Sequence, residues 1–546
     1  MSAATLARRA GVHICAAAAK NRTPHFQCLR RFSDSRSHAS TTQTTRTEYE
    51  RDCDHTANRL LPKPGPGGFT RGSFIRAPHA TGSGQSVGDL YEFVRKLGEG
   101  AFGAVHFARH RPTGEPVAIK VLSKESLEDV EALMLEIEFL KVSDHPNVIR
   151  YYETFEDADN LYLVMEMCSG GTVWQHIKEA HDMSGGGIPE ADLAKFLQQM
   201  LFGVAYCHAS SIVHRDLKPQ NFLFAWGDLG NAEAPLKLVD FGVSGVLRGD
   251  RPDKRLLTKT VGTNGYIAPE ILQNRPYAQL ADMFSLGAVV HTMLVGKTPR
   301  WDDGKQAYEF PGRMRWRTLS PECQSLLARL LDSEPHARPS AAEALQDPWF
   351  EVQGLHVQES LVGLYRECIS SIHEFSRRSK LQRAVMYSMV AFAPLQNKHM
   401  ERLRRAFLQA NTSASGKITP QEFSQIAKSY RPPPQSVAMV PKSAEALLEV
   451  IDTAQTGSIS YSEWLAAAAP QVWFDVPDHA RRAFDTLDVD GAREIGASDL
   501  CRVLPGVFRP EELTQEIMLL YPNGGGKLSF DDFCRLSGQI YTDAVI

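Results

Sequence analysis

An α+β domain of two lobes followed by an all-α tail is the fold class that this 546-residue sequence predicts. Three observations carry it. β-type runs come first, such as Val117-Ala118-Ile119 and Leu161-Tyr162-Leu163-Val164. Long helical patterns follow, such as Ala191 to His208. After Phe350 the chain reads as helices separated by short Gly-centred loops.

The length suits several domains, and 43% hydrophobic with 23% charged residues is ordinary for a soluble chain. A net charge of -4 gives no sign of a nucleic-acid partner. The cysteines at 15, 28, 53, 168, 207, 323, 368, 501 and 534 are scattered, odd in number and lack any C-x-x-C pair. They suggest neither a disulfide framework nor a zinc site, which fits a reducing compartment. No apolar run approaches the length of a membrane-spanning helix.

Residues 1 to 89 are rich in Ser, Thr, Arg, His and Gly and carry the turn-forming run Pro62 to Gly68. They read as a mostly disordered segment, because little there could offset the entropy of ordering. Up to Ser33 the segment holds Arg8, Arg9, Lys20, Arg22, Arg30 and Arg31 without an acid. That is the composition of a mitochondrial or plastid transit peptide, and equally of a basic tail on a cytoplasmic protein. Ser2 excludes an N-myristoylation signal.

Residues 91 to 350 carry the chemistry. Leu97-Gly98-Glu99-Gly100-Ala101-Phe102-Gly103-Ala104-Val105 has the pattern G-x-G-x-x-G-x-V, in which glycines let the backbone approach phosphates. Val117-Ala118-Ile119-Lys120 follows, and Lys120 would reach the α- and β-phosphates. A helix over about Leu127 to Lys141 would supply the acid that orients it. Glu136 is favoured by its spacing from Asp144-His145-Pro146-Asn147, with Glu131 and Glu138 as rivals. His214-Arg215-Asp216-Leu217-Lys218-Pro219-Gln220-Asn221 is the most specific cluster. In it Asp216 would accept or orient a substrate hydroxyl proton, Lys218 would neutralise the transferred phosphoryl, and Asn221 would hold Mg²⁺. Asp240-Phe241-Gly242 supplies the second metal-binding carboxylate, and Ala268-Pro269-Glu270 closes the segment. Four such motifs in order point to phosphoryl transfer from Mg-ATP.

Residues 91 to 350 thereby resemble the eukaryotic protein kinase domain, with Gly262-Thr263 and Lys218 of the serine/threonine class. The resemblance implies protein substrates, a gatekeeper at Met165 and an adenine-reading hinge at Glu166, Met167 and Cys168. Leu97, Val105, Ala118 and Leu223 would sandwich the base. Arg338 would pair with Glu270. Two departures stand out. Gly170-Gly171-Thr172 lacks the ribose-binding Glu that many relatives place there, at some cost in ATP affinity. Asp282-Met283-Phe284 replaces the usual D-V-W or D-I-W.

The tail, residues 399 to 546, carries four loops with EF-hand spacing: 411–422, 452–463, 488–499 and 521–532. An EF-hand takes ligands at positions 1, 3, 5, 7, 9 and 12, with Gly at 6 and Glu at 12. Loop one (Asn411, Ser413, Ser415, Gly416, Ile418, Glu422) keeps the geometry with a single acid. Loop two has Asp452, Thr456, Gly457, Ser458 and Glu463, with Ala454 at position 3. Loop three has Asp488 and Asp490, but Arg493 at the glycine position and Asp499 at the last. Loop four starts at Tyr521 and carries Gly524, Gly525 and Gly526. Any Ca²⁺ response is expected to be weak, with loop two the best site.

Kinase domain, helical junction (351–398) and EF-hand-like repeats together resemble the calcium-dependent protein kinase family, over all but the N-terminal segment. In that family the junction blocks the kinase until the EF-hand lobes rearrange. By this resemblance the basic run Phe375-Ser376-Arg377-Arg378-Ser379-Lys380-Leu381 would lie across the substrate groove near Asp216, and its removal would raise activity. A solvated helix face is the other reading of that run.

Overall fold

Alternating apolar residues build a six-stranded sheet: β1 (Ile75–Arg76), β2 (Tyr91–Gly100), β3 (Gly103–His110), β4 (Pro116–Ser123), β5 (Tyr151–Glu156) and β6 (Asn160–Glu166). Its order is β1-β5-β6-β4-β3-β2, antiparallel except for the β1–β5 pair. The computed structural model describes residues 75–76, 86–100, 103–126, 130–184, 187–247, 256–355, 362–428, 443–453, 455–503 and 509–538. Residues 1–74 with their targeting expectation, Ala101 and Phe102 of the glycine loop, and Ala454 of loop two lie outside these.

The second lobe is helical. Leu280–Val295 is buried at every position from Ala281 onward, as expected of a helix apolar on all sides. It packs with Glu190–Ala209, whose inward face buries Leu193, Phe196, Leu197, Met200 and Leu201. No helix among the described residues is long and apolar enough to cross a membrane.

In the tail, short strands join the loops in pairs. Ile418 pairs with Ile459, and Ile495 with Leu528. Each is the eighth residue of its predicted loop, and all four are fully buried. Each sixth position has left-handed φ: Gly416 at +78°, Gly457 at +76°, Arg493 at +62° and Gly526 at +83°. This local geometry turns the chain between helices whether or not an ion is held.

Two junction helices, Val362–Ser376 and Lys380–Phe392, pack inside the tail. The first lies on Ala444–Ile451 and Tyr461–Ala468. The second lies on Tyr461–Ala468, Pro477–Leu487, Ala497–Val503 and Phe530–Gly538. Ser379 caps the second by accepting from Gln382 N at 3.2 Å, an S-x-x-Q capping box.

The tail and junction also cover the outer face of the sheet. One apolar cluster runs from Leu90, Tyr91, Ala108, Val117, Ile119, Tyr152, Phe155 and Val164 into the junction and the EF-hand helices. Arg482 of Pro477–Leu487 is 1% exposed and sits 5.1 Å from the ring centres of both Tyr91 and Tyr152. Such desolvated cation–π contacts hold a guanidinium where ordinary hydration is lost. Loop one abuts the kinase as well, since a Cβ at Gly416 would meet the Tyr206 ring at 2.2 Å.

Within residues 1–89, expected to be mostly disordered, the described residues include Ile75–Arg76, which forms a parallel pair on β5 (Ile75↔Thr154), and the helical turn Val87–Leu90. The edge of β5 offers unpaired backbone groups that a short strand satisfies. One expectation is corrected here. The basic run is not placed across the groove. Arg378 bonds Gln471, Lys380 Nζ bonds Glu512 at 2.6 Å, and Leu381 N bonds Glu516 at 3.2 Å. Acidic and amide side chains of the tail thus attract this run away from Asp216.

Candidate active site

Lys120 projects from β4, where it faces Val105 on one side and Leu163 on the other. Its Nζ donates to Glu136 Oε1 at 2.6 Å and lies 3.7 Å from Asp240 Oδ1. Burial pulls the Lys120 pKa down, but Glu136 and Asp240 outweigh it and leave the pKa above its ordinary value. The lysine is therefore a fixed cation. Helix Val130–Val142 carries Glu136, which is buried, whereas the rival Glu138 pairs with Lys141 at 3.0 Å. The Glu131 side chain lies outside the described residues.

Phe241 ties this pair to the second lobe. Its ring is fully buried, 4.7 Å from Phe139 on the Glu136 helix and 4.9 Å from His214. The backbone is left-handed at Arg215 (φ +69°) and Asp240 (φ +66°), a strained conformation for non-glycine residues. Surrounding bonds hold it there. Arg215 Nε donates to Val243 O at 2.5 Å and Nη2 to Ser244 O at 2.7 Å. The backbone N–H groups of His214 and Arg215 donate to Asp282 at 2.8 and 2.9 Å. Burial pushes Asp282 up, yet the His208 contact at 3.0 Å and these N–H groups bring its pKa below the usual carboxylate value.

Asp216 receives two donors. Lys218 Nζ lies 2.5 Å from Oδ2, and the Thr263 hydroxyl donates to Oδ1 at 2.6 Å. Lys218 Nζ also lies 3.0 Å from Thr263 Oγ1, so three residues form one polar cluster. Asn221 Nδ2 donates to the Asp216 carbonyl at 2.9 Å, which orients its side-chain amide.

The residues present fit Mg-ATP. Asp240 and Asn221 offer hard oxygen donors, which suit Mg²⁺. The Asp240 side chain is 44% exposed to the cleft while Lys120 beside it is 11% exposed. Gly103, at φ +145°, closes the β2–β3 turn where a Cβ would strike Val121 O at 2.0 Å. Gly98, Glu99, Gly100 and Ala104 complete the described part of that turn, with Gly98 paired to Val105 and Glu99 to Ala104.

At the hinge, the Glu166 carboxylate is bound from behind by Lys237 Nζ and Arg150 N, each at 2.7 Å. Cys168 is half-buried, its thiol pushed far up by burial. Ala118 lies opposite Met165, and Leu223 bridges to Thr172. Leu97 is 38% exposed at the cleft's upper lip. Arg338 and Glu270 form a buried bidentate pair, both bonds 2.8 Å. Phe284 lies 5.1 Å from the Arg338 guanidinium, so the Asp282-Met283-Phe284 departure still stacks an aromatic ring there.

Sequence reasoning missed the junction's bonds to the hinge and to Arg150 beside it. Arg150 Nη1 donates to Val390 O of the second junction helix at 2.6 Å, and Gln396 Nε2 donates to Met167 O at 3.0 Å. No local spacing signals pairings of such separation.

In the tail, loops one, two and three turn acids at their ligand positions onto their own backbone and hydroxyl groups. Glu422 accepts from Ser413 N at 2.7 Å, Thr419 N at 2.8 Å and Thr412 Oγ1 at 2.9 Å. Asp452 accepts from Thr456 N at 2.9 Å and Gly457 N at 2.7 Å. Ser458 O accepts from Thr456 Oγ1 at 2.9 Å, and Glu463 Oε2 accepts from Ser460 N at 2.8 Å. Asp488 accepts from Arg493 N at 3.0 Å.

Comparison with known proteins agrees with this geometry. Residues 91–350 match the family described as protein kinase domain. The chain is 28% identical to calcium-dependent protein kinase 5 of Plasmodium falciparum, over 82% of this chain and 78% of the relative. It is 31% identical to CDPK-related kinase 1 of Arabidopsis thaliana and to calcium-dependent protein kinase 9 of rice, over 82% of this chain and 77% of each.

Proposed function

We propose, for a chain that belongs to the calcium-dependent protein kinase family and is a serine/threonine protein kinase, that Asp216 takes the substrate hydroxyl proton. The carrying observation is the cluster in which Lys218 and Thr263 each hold one oxygen of Asp216. Each oxygen keeps a further lone pair for an incoming hydroxyl. The enzyme uses ATP and Mg²⁺, and bound Mg-ATP supplies the phosphoryl donor and the metal charge. Asn221 and Asp240 hold the metal. Lys120, fixed by Glu136, holds phosphate oxygens. Lys218 neutralises charge on the transferred phosphoryl, while Leu97, Val105, Ala118 and Leu223 enclose the base beside Glu166 and Cys168. Positioning and charge neutralisation are what this reaction asks of a protein. The test is phosphate incorporation into Ser- and Thr-containing peptides by Asp216→Asn protein whose thermal transition matches the parent. Undiminished incorporation would remove Asp216 from the role.

The second part of the reading concerns the tail, which acts as a regulatory module with a weak Ca²⁺ response. Loop two, with Asp452, Thr456, Ser458 and Glu463, is the best site. Two acids at its ligand positions supply little charge for micromolar sensing. A ligand shifts an equilibrium only by its differential affinity for the two states. Calcium calorimetry beside a kinase assay on the full chain tests this, and micromolar binding with many-fold activation would refute it.

A further inference from the structure

The nucleotide site has an unusual sugar region, and the reading of that region rests on the kinase function proposed above. The hinge ends at Cys168, and the metal-binding Asn221 begins the other wall. Thr172 lies between them, since it bridges to Leu223, two residues beyond Asn221. Phe224 N donates to Gly171 O at 2.9 Å and Gly170 N to Phe224 O at 3.0 Å, which locks the two walls together. A nucleotide with its base at the hinge and its phosphates at Lys120 would carry its sugar toward this bridge.

Thr172 has little to offer that sugar. It immediately precedes helix Val173–Ser184 and closes a T-x-x-Q capping box with Gln175. Thr172 N donates to Gln175 Oε1 at 2.8 Å, Thr172 Oγ1 donates to the same oxygen at 3.3 Å, and Gln175 N donates to Thr172 Oγ1 at 3.1 Å. A hydroxyl has one proton and two lone pairs, so the cap uses the proton and one pair. The remaining lone pair is neutral, and the Thr oxygen falls about 2.5 Å short of where a glutamate carboxylate at this position would reach. Charged acceptors make the stronger hydrogen bonds. Gly170 and Gly171 bring no side chain, and a Cβ at Gly170 would meet Phe224 Cβ at 2.6 Å.

We propose that Thr172 offers a sugar hydroxyl no more than one neutral lone pair, so that the kinase discriminates little between ATP and 2′-deoxy-ATP. A site that does not bind a hydroxyl gains nothing from its presence and loses nothing from its absence, whereas one built to bind it rejects the deoxy analogue strongly.

Calorimetric binding of ATP and of 2′-deoxy-ATP to the full chain, with Mg²⁺ and no peptide, tests the proposal directly. Dissociation constants within about threefold of each other are expected, and weaker deoxy binding beyond that overturns it. Thr172→Glu restores a carboxylate. It should tighten ATP about tenfold while leaving 2′-deoxy-ATP unchanged, the size of one charged hydrogen bond. Equal shifts for both nucleotides, or no shift, would overturn the placement of Thr172 at the sugar. If the variant does not fold, the comparison on the parent chain still decides. Failure of ATP itself to bind would strike the kinase reading, a separate outcome from loss of sugar indifference.

Discussion

Ser462 gives both its backbone N–H, at 2.8 Å, and its hydroxyl, at 2.7 Å, to the Asp144 carboxylate. Both residues are buried. Asp144 follows the helix that carries Glu136, and Ser462 lies at the end of loop two, in the first turn of helix Tyr461–Ala468. The contact therefore joins the EF-hand module to the segment that sets Glu136 against Lys120. His145 beside it stacks on Tyr206 at 5.0 Å, and the Tyr206 hydroxyl accepts from Asp144 N at 2.9 Å.

Ser462→Ala removes one of the two bonds and leaves part of a buried carboxylate without its donor. A stability loss of about 1–3 kcal/mol is expected in urea unfolding. The effect of Ser462→Ala should shrink in an Asp144→Asn background, because the two residues share the interaction. Full additivity in that cycle would show the contact to be energetically idle.

Lys120→Met should cut phosphate incorporation by about a thousandfold, since it removes the cation that Glu136 fixes beside Asp240. Circular dichroism should remain that of the parent. Near-normal turnover would mean that another residue holds the phosphates.

Removal of residues 362–546 strips the cover from Tyr91, Ala108, Ile119, Tyr152 and Phe155, all under 7% exposed in the full chain. Exposing several large apolar side chains costs about 1.5–3 kcal/mol each. The truncated kinase should therefore melt earlier and lose activity, the reverse of what the family resemblance implied. A truncated protein more active than the full chain would show that the junction restrains the kinase in some other arrangement.

Arg493 occupies a left-handed position that its neighbours in loops one and two give to glycine. A non-glycine residue there costs about 1–2 kcal/mol. Arg493→Gly returns part of this, less the extra unfolded-state entropy of glycine, for a net gain of up to about 1 kcal/mol. The melting temperature should rise by a degree or more, and a fall would show that the Arg493 side chain is itself stabilising.

Burial lowers His145 from the ordinary 6.5 to about 3. The native state then keeps it neutral while the unfolded chain takes up a proton below pH 6.5. Stability is thus lost as pH falls from 6.5 toward 3, at up to about 1.4 kcal/mol per unit from this residue. Asn at 145 can still accept from Asn147 N, as His145 Nδ1 does at 3.1 Å. His145→Asn should flatten the stability–pH slope between 6 and 4 by that amount. An unchanged slope would place the acid sensitivity elsewhere.

The elements legible in the sequence are those whose information is local. Ile418, Ile459, Ile495 and Leu528 could be placed because an EF-hand loop fixes its eighth residue by spacing alone. Lys120, Glu136, Asp216 and Asp240 likewise sit in short motifs whose order is their meaning, and the structure brings them together within one cleft. The T-V-W-Q capping box at Thr172 was also readable, though its effect on the sugar was not, because that follows from the bridge to Leu223. Arg482 between Tyr91 and Tyr152, or Arg150 on Val390 O, leaves no periodic trace in either partner. Nor could the destination of the basic run be read, since such a run suits any polar or acidic surface, and here Arg378 meets the Gln471 amide while Lys380 meets Glu512.

The apolar cluster that crosses from the sheet into the EF-hand helices makes the two parts one melting unit. Mutual reinforcement then runs in both directions. By linkage, whatever factor a bound nucleotide adds to the hold of the tail on Tyr91 and Tyr152, that hold adds to nucleotide binding. In heating experiments this appears as a single endotherm covering kinase and tail together, moved as a whole by a compound that touches only one of them.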